Sequence, residues 1–273
     1  MRQPIRFSLV AAITLLLVAG AATAEDFHVD SRVFKVGDTK PIIETTTIFY
    51  KGRVYDFLKD PEANRDPEAT IFDPAGQRFI VLDPERKVTT EVGFNDIQQF
   101  TRNVRIQAAG NPNPLLNFLS NPTFTEKKTE DGELEFDSAW MIYRLKTMDA
   151  KSPEVARQYG EFSHWHSQLN VMINPSSLPP FGRLAVSEQL EQRKLLPTDI
   201  YMTISPKGPQ PKLVMRAEHR FQWTILERDR QLVDEAQRQM KLFRAVTLAK
   251  YNERVQEAPA DDKQAAKGKT ARK

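Results

Sequence analysis

Two Asp-Pro turns, ten residues apart, constrain the fold of this chain more than any other feature. They stand in "TIFDPAGQRFIVLDPERKVTTEV", residues 70–92, and each lies between apolar runs. Asp73-Pro74-Ala75-Gly76 carries Asp, Pro and Gly at the positions that a type I turn prefers, and Asp83-Pro84 repeats the chemistry. Connections this short join antiparallel strands, because a parallel neighbour requires a much longer crossover. The stretch therefore predicts a β-meander.

The strands of this meander differ in their side-chain patterns. In "KVTTEV", apolar and polar residues alternate, which is typical of a strand with one solvated face. In "RFIVL", residues 78–82, apolar side chains occupy both parities. This second strand is therefore predicted to lie deep in the sheet, with "KVTTEV" nearer the rim. One face can be covered by helices. The other either lines a hydrophobic lumen or lies beneath the chain's own helices, and the sequence leaves both alternatives open.

The rest of the chain predicts an α+β fold with a large curved antiparallel sheet. Strand patterns run through residues 26–92, and a period of three to four residues begins at Phe94. A hairpin on Asp131-Gly132 and a strand near residues 139–148 follow. Ser152 caps a helix with the apolar stripe Val155, Tyr159, Phe162, His166, Leu169 and Ile173.

The C-terminal part predicts another helix within residues 180–194, two strands, and a long charged helix from about Asp229. Tyr251 would extend that helix. We expect a single domain over residues 25–255, with two smaller domains divided near Lys151 as the alternative.

Both termini are expected to lie outside this domain. Residues 1–24 combine Arg2 and Arg6, a short apolar run and Ala22-Thr23-Ala24, the pattern of a cleaved secretory signal peptide. A membrane-spanning helix would need about 20 apolar residues. The protein has no cysteine, and Glu25 stands where a lipoprotein would carry one. Residues 256–273 form an Ala- and Lys-rich tail that we expect to be disordered. We therefore predict an exported protein, periplasmic or extracellular, with no integral membrane segment after cleavage.

The early strands resemble those of the LolA/LolB-type lipoprotein-carrier superfamily. The resemblance lies in "TTTIFYKGRVYDF" and the stretch from residue 70 to 92, and covers residues 29–104. It implies a half-barrel of antiparallel strands, lidded by helices, with an apolar cavity for acyl chains. The length of the chain and its long charged C-terminal helix depart from that pattern, and no ligand residue of the family can be placed here.

On this interpretation, the candidate ligand-binding residues are apolar side chains of the central strands: Phe57, Phe79, Ile80, Val81 and Leu82. The competing interpretation is that these side chains are buried beneath helices as ordinary core, since aromatic residues on a sheet usually pack there.

The sequence offers no catalytic or metal-binding motif. His164 and His166 are two residues apart, and on a helix such residues point about 200° apart, so they do not readily bind one ion. His219 and Glu218 would lie on opposite faces of a strand. There is no cysteine nucleophile, phosphate-binding loop or nucleophile elbow. We predict no cofactor and no metal.

The net charge of +3 is carried largely by the leader and the tail, which leaves no clustered basic face for nucleic acid. The first hypothesis is a soluble exported binding protein of unknown specificity that holds an apolar ligand or lipidated cargo. The second is an envelope interaction or regulatory module without a small ligand, whose partner is another envelope protein. An enzyme with no recognisable motif is the third, and the oligomeric state is left open.

Overall fold

A computed structural model of the protein describes residues 24–59, 61, 66–174, 177–204 and 213–257. The expected leader, apart from residue 24, and the tail beyond residue 257 lie outside these residues. The described part contains twelve strands and six helices. No helix within it combines the length and the apolar character needed to cross a membrane.

The first half of the chain contains eight strands and two helices. The strands are β1 (Phe27–Lys35), β2 (Ile43–Tyr50), β3 (Arg53–Lys59), β4 (Glu68–Asp73), β5 (Arg78–Asp83), β6 (Val88–Gly93), β7 (Thr125–Lys128) and β8 (Leu134–Asp137). The helices α1 (Phe94–Ala109) and α2 (Pro114–Ser120) lie between β6 and β7.

The second half alternates strands and helices. Its elements are β9 (Met141–Asp149), α3 (Pro153–Ile173), α4 (Phe181–Gln192), β10 (Leu195–Ile204), β11 (Leu213–Gln222), α5 (Glu227–Leu242), β12 (Arg244–Ala245) and α6 (Leu248–Glu257).

All twelve described strands form one curved, unclosed sheet, which confirms the predicted fold class. Its order is β12-β6-β5-β4-β3-β2-β1-β11-β10-β9-β8-β7. Every pair is antiparallel except β12 with β6. The meander is confirmed in register, with Phe72 opposite Phe79 and Phe79 opposite Val92. Because β1 pairs with β11, strands from both sides of Lys151 belong to the same sheet.

One face of the sheet, here called the inner face, carries α1, α3, α4 and α6. Over β1 to β6 the inner face packs Phe49, Phe72, Phe79 and other side chains against Val155, Phe162 and Leu169 of α3. Over β8 to β10 it packs against α2 and α4. The predicted stripe of α3 thus faces the sheet, and the Ser152 hydroxyl caps that helix by accepting the Val155 N–H at 3.1 Å.

The opposite face, here called the outer face, is covered by α5 over β2 to β5. Ile48, Tyr55, Ile71 and Ile80 pack there with Val233 of α5. The strand "RFIVL" is therefore dry on both faces, as its sequence predicts, and each face is covered by helices of the chain itself.

The C-terminal segment wraps around the edge of the sheet at β6. Helix α5 ends at Leu242, β12 adds to β6, and α6 returns to the inner face, where Tyr251 is buried. The expectation that Tyr251 extends the charged helix is therefore wrong. The chain turns instead because Arg244 and Val246 donate backbone hydrogen bonds to β6 and its preceding turn.

Candidate functional site

The structure separates the candidate residues of the central strands into two clusters. Phe79 and Val81 lie on the inner face beneath α3 and α1. Phe57, Ile80 and Leu82 lie on the outer face beneath α5. All five are buried, with exposed fractions of 0 to 6%. They do not form a common surface, and their role in binding a ligand stays a prediction.

Free space on the inner face lies elsewhere, between α3, α4 and strands β9 and β10. We call this space the α3–α4 cleft. Its apolar walls include Leu145, Val186, Leu190 and Ile200. It extends over about 420 Å³ when the open space at its mouth is counted, but only about 20 Å³ admits a water-sized sphere. This smaller volume holds about one water molecule, so the cleft is closed in this structure.

Apart from Tyr159, the side of α3 that lines the cleft is built from small residues, which leave this space. Ala156, Gly160 and Ser163 follow each other at helical spacing along the wall. Gly160 also permits a close approach of α4, because a Cβ there would stand 2.5 Å from a carboxylate oxygen of Glu191.

Arg183 of α4 brings a positive charge into the cleft. It is half-buried, and within the described residues its guanidinium makes no hydrogen bond and meets no carboxylate at ion-pair distance. The other half-buried arginines in this part of the chain all have carboxylate partners. Arg32 and Arg216 pair with Glu218, Arg53 pairs with Asp73, Arg78 pairs with Asp73 and Glu91, and Arg86 pairs with Asp83.

Two tyrosines share the cleft with Arg183 and are neutral there. Burial raises the pKa of Tyr143 to about 12 and also raises the pKa of Tyr159, while the charge of Arg183 opposes both shifts. Neutral phenol groups can donate one hydrogen bond each. Ser187, one turn beyond Arg183 on the same side of α4, adds a hydroxyl.

His219 lies next to the cleft on β11. Its neighbour on the same face, Ala217, pairs with Ile200 of the cleft wall. The Nδ1 atom lies 2.8 Å from the Ser31 hydroxyl, and Nε2 is buried without a hydrogen-bond partner among the described residues. Since β11 lies between β1 and β10, His219 is in the interior of the sheet and not at its edge. Glu218 points to the outer face, as expected, and pairs with Arg32.

Burial, together with the charge of Arg183, lowers the pKa of His219 to about 3. A general base at neutral pH needs a pKa close to 7. The Ser31–His219 pair therefore lacks the basicity of a nucleophile–base pair, and its imidazole acts as a neutral hydrogen-bonding group.

A second polar group lies further along the inner face, at β3. The buried Asp56 accepts a hydrogen bond of 2.6 Å from Thr47, and His166 Nε2 lies 3.6 Å from its other oxygen. Desolvation lowers the pKa of His166, whereas Asp56 raises it. His164 points away and is exposed. No group of three metal-ligating side chains occurs within the described ranges.

Sequence analysis did not identify Arg183 as a functional candidate. The available signal was local: an arginine inside the otherwise apolar run "PFGRLAV" of a predicted helix. Its unpaired state among the described residues depends on where the carboxylates of the neighbouring elements lie, and one sequence does not show which strands meet a helix.

Comparison with known proteins adds a weak likeness of fold. No family model matches the sequence, and no curated protein matches it significantly. Among solved structures, a LolA superfamily protein from Nitrosomonas europaea is similar at 11% identity and a TM-score of 0.30. The match covers 75% of this chain and 89% of that one. At this level it assigns neither a ligand nor a residue role, which must come from the geometry of the chain itself.

Proposed function

We propose that this protein is an exported binding protein that holds the apolar part of a small ligand between α3, α4 and the inner face of its sheet. The observation that carries the proposal is the α3–α4 cleft, with its apolar walls and the small residues of α3 that leave space beside them. Ligand pockets typically measure about 300–1,000 Å³. The enclosed space of the closed cleft, about 20 Å³, is far smaller, so the proposal requires the cleft to open.

Binding requires α4 to move outward, because the closed form has room for about one water molecule. Helices cover Phe79 on the inner face and Ile80 on the outer face. In the cleft, by contrast, the wall formed by Ala156 and Gly160 presents little side-chain volume. A lipid or the acyl chains of a lipoprotein is the ligand class that we propose. The leader pattern of residues 1–24 supports export.

The test uses a pair of matched substitutions and the neutral apolar probe N-phenyl-1-naphthylamine. Ala156→Leu adds volume inside the cleft, and Ala69→Leu adds the same volume in the core beneath α5. Overpacking costs about 1–3 kcal/mol at either site, so urea unfolding is measured for both. We expect Ala156→Leu to weaken probe binding at least tenfold and Ala69→Leu to leave it unchanged.

Organic extraction of the purified protein, followed by mass spectrometry, gives an independent result. We expect a co-purifying lipid in the wild type that is depleted in Ala156→Leu. Equal probe affinity in both variants, or a wild type that neither binds the probe nor carries a lipid, would count against the proposal.

The alternative of an envelope interaction module has no specific support on the surface of α5. Several of the charges on its exposed side pair within the helix, for example Arg230 with Glu227 and Arg238 with Glu235. These pairs are typical of a solvated helix face.

A further inference from the structure

We infer that Arg183 binds an anionic group, a carboxylate or a phosphate, with the hydroxyls of Tyr143, Tyr159 and Ser187 as neutral donors around it. The inference rests on the proposed function and specifies the polar end of its ligand. An arginine fork matches both kinds of anion, because two parallel N–H groups meet two oxygens.

Arg183 carries a half-buried charge that has no partner among the described residues. Removing an ion from water costs free energy that a carboxylate or other hydrogen bonds normally offset. The other half-buried arginines of the described chain have such carboxylates, and Arg183 has none. A ligand anion would supply the missing partner.

The polar side chains that share the cleft with Arg183 include neutral hydrogen-bond donors. Tyr143 and Tyr159 line the same cleft and are neutral donors, and Ser187 lies one turn from Arg183. Donors without negative charge are the groups that surround a bound carboxylate or phosphate.

His219 extends this set of neutral groups. Arg183 contributes to lowering the pKa of its imidazole, which shows that the two side chains lie within electrostatic range of each other. If the Ser31 hydroxyl donates to Nδ1, the buried and unpartnered Nε2 carries a proton that can be donated to a ligand.

The negative groups of the inner face lie at a distance from Arg183. Glu191 also lines the cleft, but it follows Arg183 by two turns of α4, about 12 Å along the axis. Asp56 on β3 influences Tyr159 and His166, as Arg183 does, but among the described residues it is not at ion-pair distance from the guanidinium. Neither carboxylate repels an anion held at the guanidinium as strongly as a direct neighbour would.

The walls of the cleft indicate that the anion is attached to an apolar chain. Leu145, Val186, Leu190 and Ile200 form the surface beside Arg183 and offer no further charge. A fatty acid or a phosphate-bearing lipid has this combination of one anionic end and one apolar end. A free anion would use only the guanidinium and the hydroxyls.

The experiment measures displacement of N-phenyl-1-naphthylamine by three ligands of equal chain length: dodecanoate, dodecyl phosphate and dodecan-1-ol. Acetate and inorganic phosphate alone form separate arms, with the melting temperature as readout. The variant Arg183→Met removes the charge. Arg105→Met is the matched control, because Arg105 stacks on the ring of Phe181 at the start of α4, outside the cleft lining.

In the wild type, we expect dodecanoate or dodecyl phosphate to bind at least tenfold more tightly than dodecanol. Arg183→Met should abolish this preference, and Arg105→Met should preserve it. Stabilisation by acetate or phosphate alone, present in the wild type and absent in Arg183→Met, would support the anion site and identify a free anion as the ligand. If Arg183→Met does not fold, Arg183→Gln is used in its place.

Equal affinity of the wild type for all three dodecyl compounds would overturn the anion site and leave the proposed function standing. A wild type that binds neither the probe nor any dodecyl compound would overturn both.

Discussion

The contact between His28 and Asp229 is predicted to hold α5 on the outer face of the sheet. His28 Nδ1 lies 2.7 Å from Asp229 Oδ2, and both side chains are 0% exposed. A carboxylate can only accept, so Nδ1 donates the proton. Asp229 Oδ2 also accepts the Leu226 N–H at 2.8 Å and thereby caps α5.

The substitution Asp229→Ala should destabilise the protein by about 2–4 kcal/mol, because it leaves the buried Nδ1 of His28 without its acceptor and α5 without its cap. About 1 kcal/mol of that loss comes from the helix cap rather than from the pair. A double-mutant cycle with His28→Ala separates the two contributions, and we expect a coupling energy of about 1.5–3 kcal/mol for the pair.

The assay is urea unfolding followed by circular dichroism for the wild type, both single variants and the double variant. Arg238 and Glu235 form the control cycle on the same helix, because their side chains are 62% and 42% exposed. An exposed pair of this kind is worth about 0.5 kcal/mol or less. A coupling energy for His28 and Asp229 no larger than that of the control pair would refute the reasoning.

Three other outcomes follow from individual positions. Burial lowers the pKa of His219 to about 3, whereas the unfolded value is near 6.5. Below about pH 6.5 the unfolded chain therefore takes up a proton that the folded chain does not. The free energy of unfolding decreases as the pH is lowered. His219→Gln should make this fall shallower in urea midpoints measured from pH 7 to pH 4, and parallel curves would contradict it. Phe79→Ala and Ile80→Ala should each cost about 2–5 kcal/mol, because both faces of β5 are covered. A loss below about 1 kcal/mol for Ile80→Ala would show that the outer face is open. Gly132→Ala should cost about 1 kcal/mol at a φ of +80°, and Gly110→Ala, at −89°, should not.

The fold could be predicted from the sequence where local chemistry determines it. The Asp-Pro turns gave the order of β4, β5 and β6, and the dry pattern of "RFIVL" agrees with its place inside the sheet. Glu91 of β6 is exposed, as alternation requires in a strand near the rim. These features depend on residues within about ten positions of each other, so a single sequence contains them.

The covering of the sheet could not be predicted in the same way. An apolar face looks the same in sequence whether it meets a ligand or a helix of the same chain. Helix α5 lies over Ile80 through contacts between residues far apart in the sequence. His28 of β1 and Asp229 of α5, which are 201 residues apart, form one of these contacts. The α3–α4 cleft likewise depends on which strands lie opposite Arg183, and that pairing is a long-range property.

The inner face carries polar side chains at positions where a purely structural core would be apolar. His219 lies opposite Ser31, and Ser31 lies opposite Thr45. Two residues further along β2, Thr47 lies opposite Asp56, which in turn lies opposite Thr70. On the outer face, the neighbouring positions of β3 and β4 carry Tyr55, Phe57, Ala69 and Ile71, which pack in the core beneath α5. Polar groups in an interior gain little over well-packed apolar residues and are costly when unpartnered. The orphaned Nε2 of His219 and the unpaired Arg183 bear that cost next to the same cleft. Stability alone gives no reason to place both there, whereas an anionic ligand would satisfy the two groups at once.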